Sequence, residues 1–190
     1  MNVRLRPVRD DDLPMLRRFL SEQDLIGNDW FGFRDAATVD RRFAKDGFLG
    51  TDNGRLMVET RDTERSDTSE RDAKAEADTE DQVAGFVTWT AGRYGGAGGY
   101  WEIGIALLPE HRGRGIGWRA QALIATYLFE HTPAQRIQAG TQPENIAEQK
   151  ALLKAGFQLE GVVRAAEFRA GQWRDGLLYS RLRDDPAPVL

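Results

Sequence analysis

The chain has 190 residues, 41% of them hydrophobic, and a formal net charge of -4. That length suits one core of ordinary domain size, and the charge balance argues against a nucleic-acid binder that works mainly through phosphate contacts. Cysteine is absent, which excludes disulfides, cysteine metal sites and a cysteine acyl-enzyme. The start, Asn2–Asp12, lacks the apolar stretch of a signal peptide, and no apolar run is long enough for a membrane span, so a cytoplasmic protein without a membrane partner is expected.

Val3–Val8 alternates like a strand, and Asp10, Asp11 and Asp12 then offer N-cap and first-turn carboxylates to a helix carrying Leu13, Leu16, Phe19 and Leu20. After a loop with Trp30, Phe31 and Phe33, a second helix is expected over Asp35–Lys45. Arg55–Thr60 and Val83–Trp89 read as strands, and the stretch between them, 61–82, is almost without large apolar residues, so it is expected to be a mobile acidic hairpin insertion in a single domain spanning 1–190. Gly92, Gly95, Gly96, Gly98 and Gly99 predict a flexible turn before Tyr100–Leu107, whose apolar density is that of a central strand. Ile116, Ala120, Leu123, Ile124, Tyr127 and Leu128 recur at helical spacing. Arg136–Gly140 predicts a short strand, Asn145–Ala155 a helix stopped by Gly156, and Phe157–Phe168 with Trp173–Arg183 a hairpin turning at Ala170 and Gly171.

The chemistry concentrates at Pro109–Gly117, where a buried strand ends and an amphipathic helix begins. Backbone N–H groups there lack partners and the helix dipole is positive, which suits a phosphate. Gly113, Gly115 and Gly117 remove side chains that would hold an anion away, and Arg112 and Arg114 add charged donors. A P-loop is excluded because Gly117 is followed by Trp118 and Arg119 and not by Lys-Ser or Lys-Thr. A dinucleotide fingerprint is disfavoured because the next strand ends Ala139-Gly140-Thr141, without an acidic residue. A glycine-rich turn that only tightens strand–helix packing is the remaining alternative.

The run Arg112-x-x-Gly115-x-Gly117 resembles the (Q/R)xxGx(G/A) acetyl-CoA motif of the GNAT superfamily of N-acetyltransferases. Further likenesses follow in order: Asn145 before Gly156-Phe157, then Glu160-Gly161 and Trp173–Ser180. With Glu102-Ile103-Gly104, these are similar to the branch of Rim-type ribosomal-protein N-terminal acetyltransferases. The resemblance implies an α/β fold with a mixed, mostly antiparallel sheet of about six to seven strands and about four helices. It implies acetyl-CoA as cosubstrate, held by Arg112, Gly113, Arg114, Gly115, Ile116 and Gly117 at its pyrophosphate and by the backbone of Leu107 and Leu108 along its pantetheine arm. The amide of Leu107 would face the thioester oxygen, where a fixed donor stabilises the oxyanion. Asn145 would bond the cofactor arm, or serve only as an N-cap.

A protonated amine must lose a proton to attack. Glu102 is the candidate base; the alternative is a strand Glu in a salt bridge at the sheet edge. Many members place a Tyr or a Ser on the helix after Asn145 to protonate the departing thiolate. Here those positions hold Leu152 and Glu148, which leaves Tyr179, Glu148 or water, and Tyr179 also suits a packed ring. His111 and His131 are isolated, so no metal site is expected, and His111 is expected in an exposed loop. The acceptor is an amine-bearing peptide or small molecule, with the peptide α-amine favoured by the Rim-type likeness. Trp30, Phe31 and Phe33 facing Phe168 and Trp173 would wall its entrance. A small-amine acetyltransferase and a catalytically silent acyl-CoA-binding module are the alternatives, and the chain is either a monomer or a homodimer.

Overall fold

A computed structural model of the chain describes residues 1–27, 30, 32–61, 81–96 and 98–188. The expected insertion, apart from its flanks, and Phe31 lie outside the described residues. Seven strands form one sheet: β1 (Asn2–Pro7), β2 (Asn53–Arg61), β3 (Gln82–Tyr94), β4 (Gly98–Leu107), β5 (Arg136–Thr141), β6 (Gln158–Arg169) and β7 (Gln172–Leu182), in the order β1-β2-β3-β4-β5-β7-β6. Only β4 and β5 pair in parallel, because the chain between them is a crossover helix, which parallel neighbours require. The mixed, mostly antiparallel sheet expected from the sequence is therefore present.

Among the described residues five α-helices lie on the two faces. On one side lie α1 (Leu13–Ser21), α2 (Gln23–Ile26) and α3 (Ala37–Asp46); on the other lie α4 (Ile116–His131) and α5 (Ile146–Lys154). Leu16, Phe19, Val39, Phe48, Met57 and Phe86 form the core under the first group, and Val58, Val87, Ile103, Ile124, Leu128, Ile137 and Leu152 the core under the second. Met57 and Val58 are neighbours in sequence yet serve opposite cores, as a strand's twofold alternation requires. Ala120, Ala122 and Ala125 let α4 sit close against the sheet.

Three expectations need correction. Gly92, Gly98 and Gly99 are strand residues, paired as Gly92↔Tyr100, Arg93↔Gly99 and Tyr94↔Gly98. The ring of Tyr100 lies where a side chain on Gly92 would stand, so that glycine makes room for an aromatic and does not make a turn. His111 is buried, in a 3₁₀ turn over Pro109–His111. The aspartate run forms its own 3₁₀ turn, Asp10–Asp12, in which the Asp12 carboxylate accepts the Arg9 N–H at 2.7 Å.

At the sheet edge, Asp12 and Glu59 are both buried and both bound by Arg6, and Glu59 also by Arg4. Burial alone would raise both carboxyls, but the hydrogen bonds from these arginines hold them below their ordinary values.

Candidate active site

Trp101, Ile103, Ile105 and Leu107 of β4 pack toward α4, while Ala106 packs toward α1–α3. By alternation Glu102 and Gly104 also point to the α1–α3 side, and both are exposed. No ion pair engages Glu102 among the described residues, so the salt bridge that would make it purely structural is not seen.

The pairing of β4 changes along its length. With β3 it continues to Gly85↔Leu107, but with β5 it consists of Trp101↔Ile137 and Glu102↔Gln138. Past Glu102 the two parallel strands diverge, and one edge of β4 is left without a neighbouring strand. The Leu108 N–H donates to the Ala84 carbonyl and its own carbonyl accepts from the His111 N–H, each at 2.9 Å. Inward and outward residues alternate along an antiparallel ladder, so Leu107 turns its backbone toward the gap. Its carbonyl accepts from Arg112 Nε at 3.0 Å, and its N–H faces the gap. Leu108 has both backbone groups engaged within the protein, so of these two residues Leu107 keeps a backbone donor for a ligand in the gap.

Next to this edge begins α4. Gly115 caps it in the left-handed region, with φ 76°, a conformation that favours glycine. Gly113 is also left-handed, with nothing within 4 Å of its missing side chain, so the first-turn amides are open to an anion. Ile116 is fully buried and can offer only its main chain. A Cβ on Gly117 would stand 3.7 Å from Leu107 Cδ1, which sets the helix start beside the free edge of β4. The donors and space fit a pyrophosphate at the helix with an extended amide arm along β4. Arg114 is exposed beside them. Arg112 is used differently from the expectation of an anion donor: besides Leu107, its guanidinium holds the Leu25 carbonyl of α2.

Asn145 is the N-cap of α5, its Oδ1 accepting the Glu148 N–H at 3.2 Å; its amide nitrogen remains as a donor. Tyr179 on β7 is 2% exposed and packs with the α4–α5 core, as does Leu152. The Tyr179 hydroxyl has no hydrogen bond among the described residues. Trp30 and Phe33 meet edge to face at 5.2 Å, and Phe168 and Trp173 at 5.6 Å, so the expected wall aromatics form two separate pairs. Phe33, Phe168 and Trp173 are largely exposed. Among the described residues no cluster of three metal-ligating side chains occurs, and no helix is long and apolar enough to cross a membrane.

One residue of the site, Arg55, is not singled out by any motif. It faces the α1–α3 side in the row Arg55, Thr88, Gly104 across β2, β3 and β4, with its guanidinium 4.3 Å from the Phe86 ring and 4.8 Å from that of Phe48. Burial, and then the nearby Arg42 charge, push its pKa down to about 10. The one available signal was a charged residue at an inward position of the Arg55-Met57-Glu59 alternation.

The family model for the acetyltransferase (GNAT) domain matches residues 2–158. A curated relative, the probable N-acetyltransferase YjcK of Bacillus subtilis (strain 168), is 36% identical over 83 residues, which is 44% of this chain and 46% of the relative. The matched stretch thus spans about half the length of that relative. Among solved structures, spermidine N-acetyltransferase from Vibrio cholerae, in complex with CoA and spermine, superposes with a TM-score of 0.73 at 19% identity, covering 96% of each chain. Ribosomal-protein-S5-alanine acetyltransferase from Vibrio fischeri does so at 0.68 with 20% identity, covering 99% of this chain and 97% of the other. At such identities these two likenesses speak to the fold alone, and it is the match of the domain model along most of the chain that places this protein in the GNAT acetyltransferase family.

Proposed function

We propose that this protein is an acetyl-CoA-dependent N-acetyltransferase that acts on a primary amine, with the α-amine of a peptide or protein N-terminus as the favoured acceptor. The observation that carries this reading is the divergence of β4 from β5 beside the glycine-capped start of α4. The free edge of β4 would pair with the pantetheine arm as an added strand, and the amides of Gly113, Gly115, Ile116 and Gly117, with Arg114, would hold the pyrophosphate. The Leu107 N–H would then face the thioester oxygen. The amine nitrogen attacks the carbonyl carbon, the oxyanion is held by that N–H, and collapse breaks the C–S bond and releases the thiolate.

Glu102 receives the proton that the acceptor's ammonium gives up before its nitrogen attacks. Five residues of strand, about 16 Å, separate its Cα from that of Leu107, so the proton travels through water lying on the exposed sheet face. Tyr179 is the side-chain candidate to protonate the thiolate; its burial favours a ring that packs first. The two aromatic pairs are suited to wall the entrance on either side.

A small amine is the second reading, favoured by the spermine complex of a structural neighbour. The test is acetyl-CoA turnover with the full chain over N-terminal peptides, polyamines and aminoglycosides. Peptide turnover well above the rest supports the proposal, and polyamine turnover alone moves it to the second reading. CoA binding without turnover on any amine would instead indicate a silent acyl-CoA-binding module.

A further inference from the structure

The helices of the α1–α3 side do not cover the whole sheet. On β3 and β4 they stop at the row of Phe86 and Ala106, which belong to their core, whereas Arg42 of α3 and the Phe48 ring reach further over β2. In the next two rows, Gly104, Thr90 and Glu102 are exposed and Thr88 is half-buried. A strip of bare sheet therefore runs from the gap beside β4 toward β2, and Arg55 stands at its far end. Gly104 contributes no side chain to this strip, and its missing Cβ would lie 3.0 Å from the Thr88 hydroxyl. The way from the gap to the guanidinium is thus low and polar.

Arg55 has no acidic partner. Its Nε is buried without a hydrogen bond, and no hydrogen bond or ion pair joins its guanidinium to any described residue. The neighbouring Arg42 is occupied with Asp46 at 3.3 Å and with the Asn53 carbonyl at 3.1 Å, and its charge repels that of Arg55. Two phenyl rings favour a cation through their faces but accept none of its in-plane N–H donors. A largely buried, unpaired charge is costly, so nothing in the fold itself calls for an arginine here. A fork of in-plane donors flanked by rings fits one chemistry best, a carboxylate approaching edge-on.

We propose that Arg55 binds a carboxylate of the acceptor, so that the substrate is an amine bearing an acidic group: a peptide with Asp or Glu in its first two residues, or a free amino acid. This rests on the reading of the site as an amine acetyltransferase. Two strand spacings, about 9.5 Å, separate the Cα atoms of Arg55 and Gly104, a span that the side chain of a first or second residue crosses when its amine lies at the gap. A polyamine would bring positive charge to this guanidinium and be disfavoured.

Acetyl transfer by the full chain to peptides beginning Asp-Ala and Asn-Ala, and Ala-Glu and Ala-Gln, with free aspartate as a further arm, tests this. Wild type should favour the acidic member of a pair by about tenfold or more in kcat/KM, and Arg55→Gln should bring the ratio to about one. A ratio near one in wild type, or a preference that survives in Arg55→Gln, overturns the proposal. Binding of the already acetylated peptides to the CoA-loaded wild-type protein, by calorimetry, needs neither turnover nor a variant. Tighter binding of the acidic product without any turnover would sustain Arg55 and sink the transferase reading. Turnover without preference would do the reverse, and absence of both effects would remove both.

Discussion

Glu102 stands on bare sheet, in a strand otherwise apolar, without an ion-pair partner among the described residues. A carboxylate left there with no ion-pair partner is suited to proton transfer, and in the proposed mechanism its distance from Leu107 would make that transfer water-relayed. Glu102→Gln keeps the shape and removes the base. Turnover on the preferred amine should fall by about 10²–10⁴-fold, with the affinity for acetyl-CoA unchanged, as measured by steady-state kinetics beside CoA titration. Unaltered turnover would remove Glu102 from the mechanism. Its residue type and apolar neighbours made it legible in the sequence. Arg55 was not, because its meaning lies in register: only pairing across three strands sets it in line with Gly104.

At the scale of elements, the end of the sheet is closed by a clasp. Arg136 of β5 and Ser180 of β7 both donate to Glu160, which the bulge between Leu159 and Gly161 leaves without a partner opposite on β7. The hydrogen bonds from Arg136 and then Ser180 pull the Glu160 pKa from 4.5 down to about 2. A carboxyl lowered on folding stabilises the native state above its unfolded pKa and loses that contribution as pH falls through the folded one. Between about pH 4.5 and 2, wild type should therefore lose stability more steeply than Glu160→Gln, in thermal melts at stepped pH. Parallel slopes would show that the clasp is idle.

The elements themselves were mostly readable. The strand and helix periods predicted β1, β4, α4 and the β6–β7 hairpin within a few residues. The four-residue α2 was missed because it is too short to show a period. The extension of β3 to Tyr94 was missed because glycine is the usual mark of a turn, and its service to the Tyr100 ring depends on a partner strand. The divergence of β4 from β5 is not legible in the residues, because no composition rule marks where two parallel strands part.

Across the whole molecule, charge is unevenly spread. Residues 62–80 carry eight acidic and three basic side chains, so that a chain of net charge -4 is +1 without them. The acidic balance therefore says little about partners of the catalytic fold. The ladder on either side of this stretch is already formed at Thr60↔Gln82, and Asp81 binds Arg61 at 2.9 Å as well as Arg4. Replacing 62–80 with Asn-Gly, a pair suited to a two-residue hairpin turn, should leave the melting temperature within about 3 °C of wild type. A much larger loss by calorimetry would mean that the stretch contributes to the fold.

Arg112 grips both the Leu107 carbonyl on the cofactor edge and the Leu25 carbonyl on α2. One side chain thus rivets the two halves of the site, and whatever steadies one steadies the other. Linkage is reciprocal: if acetyl-CoA orders this joint, an acceptor that touches α2 must raise the affinity for acetyl-CoA by the same factor by which acetyl-CoA raises its own. Arg112→Ala should uncouple the two, leaving each ligand's affinity indifferent to the other in paired calorimetric titrations. Persistent cooperativity in that variant would place the coupling elsewhere. If the two affinities do come apart in that variant, the motif's arginine is less a phosphate ligand than the joint between two binding sites.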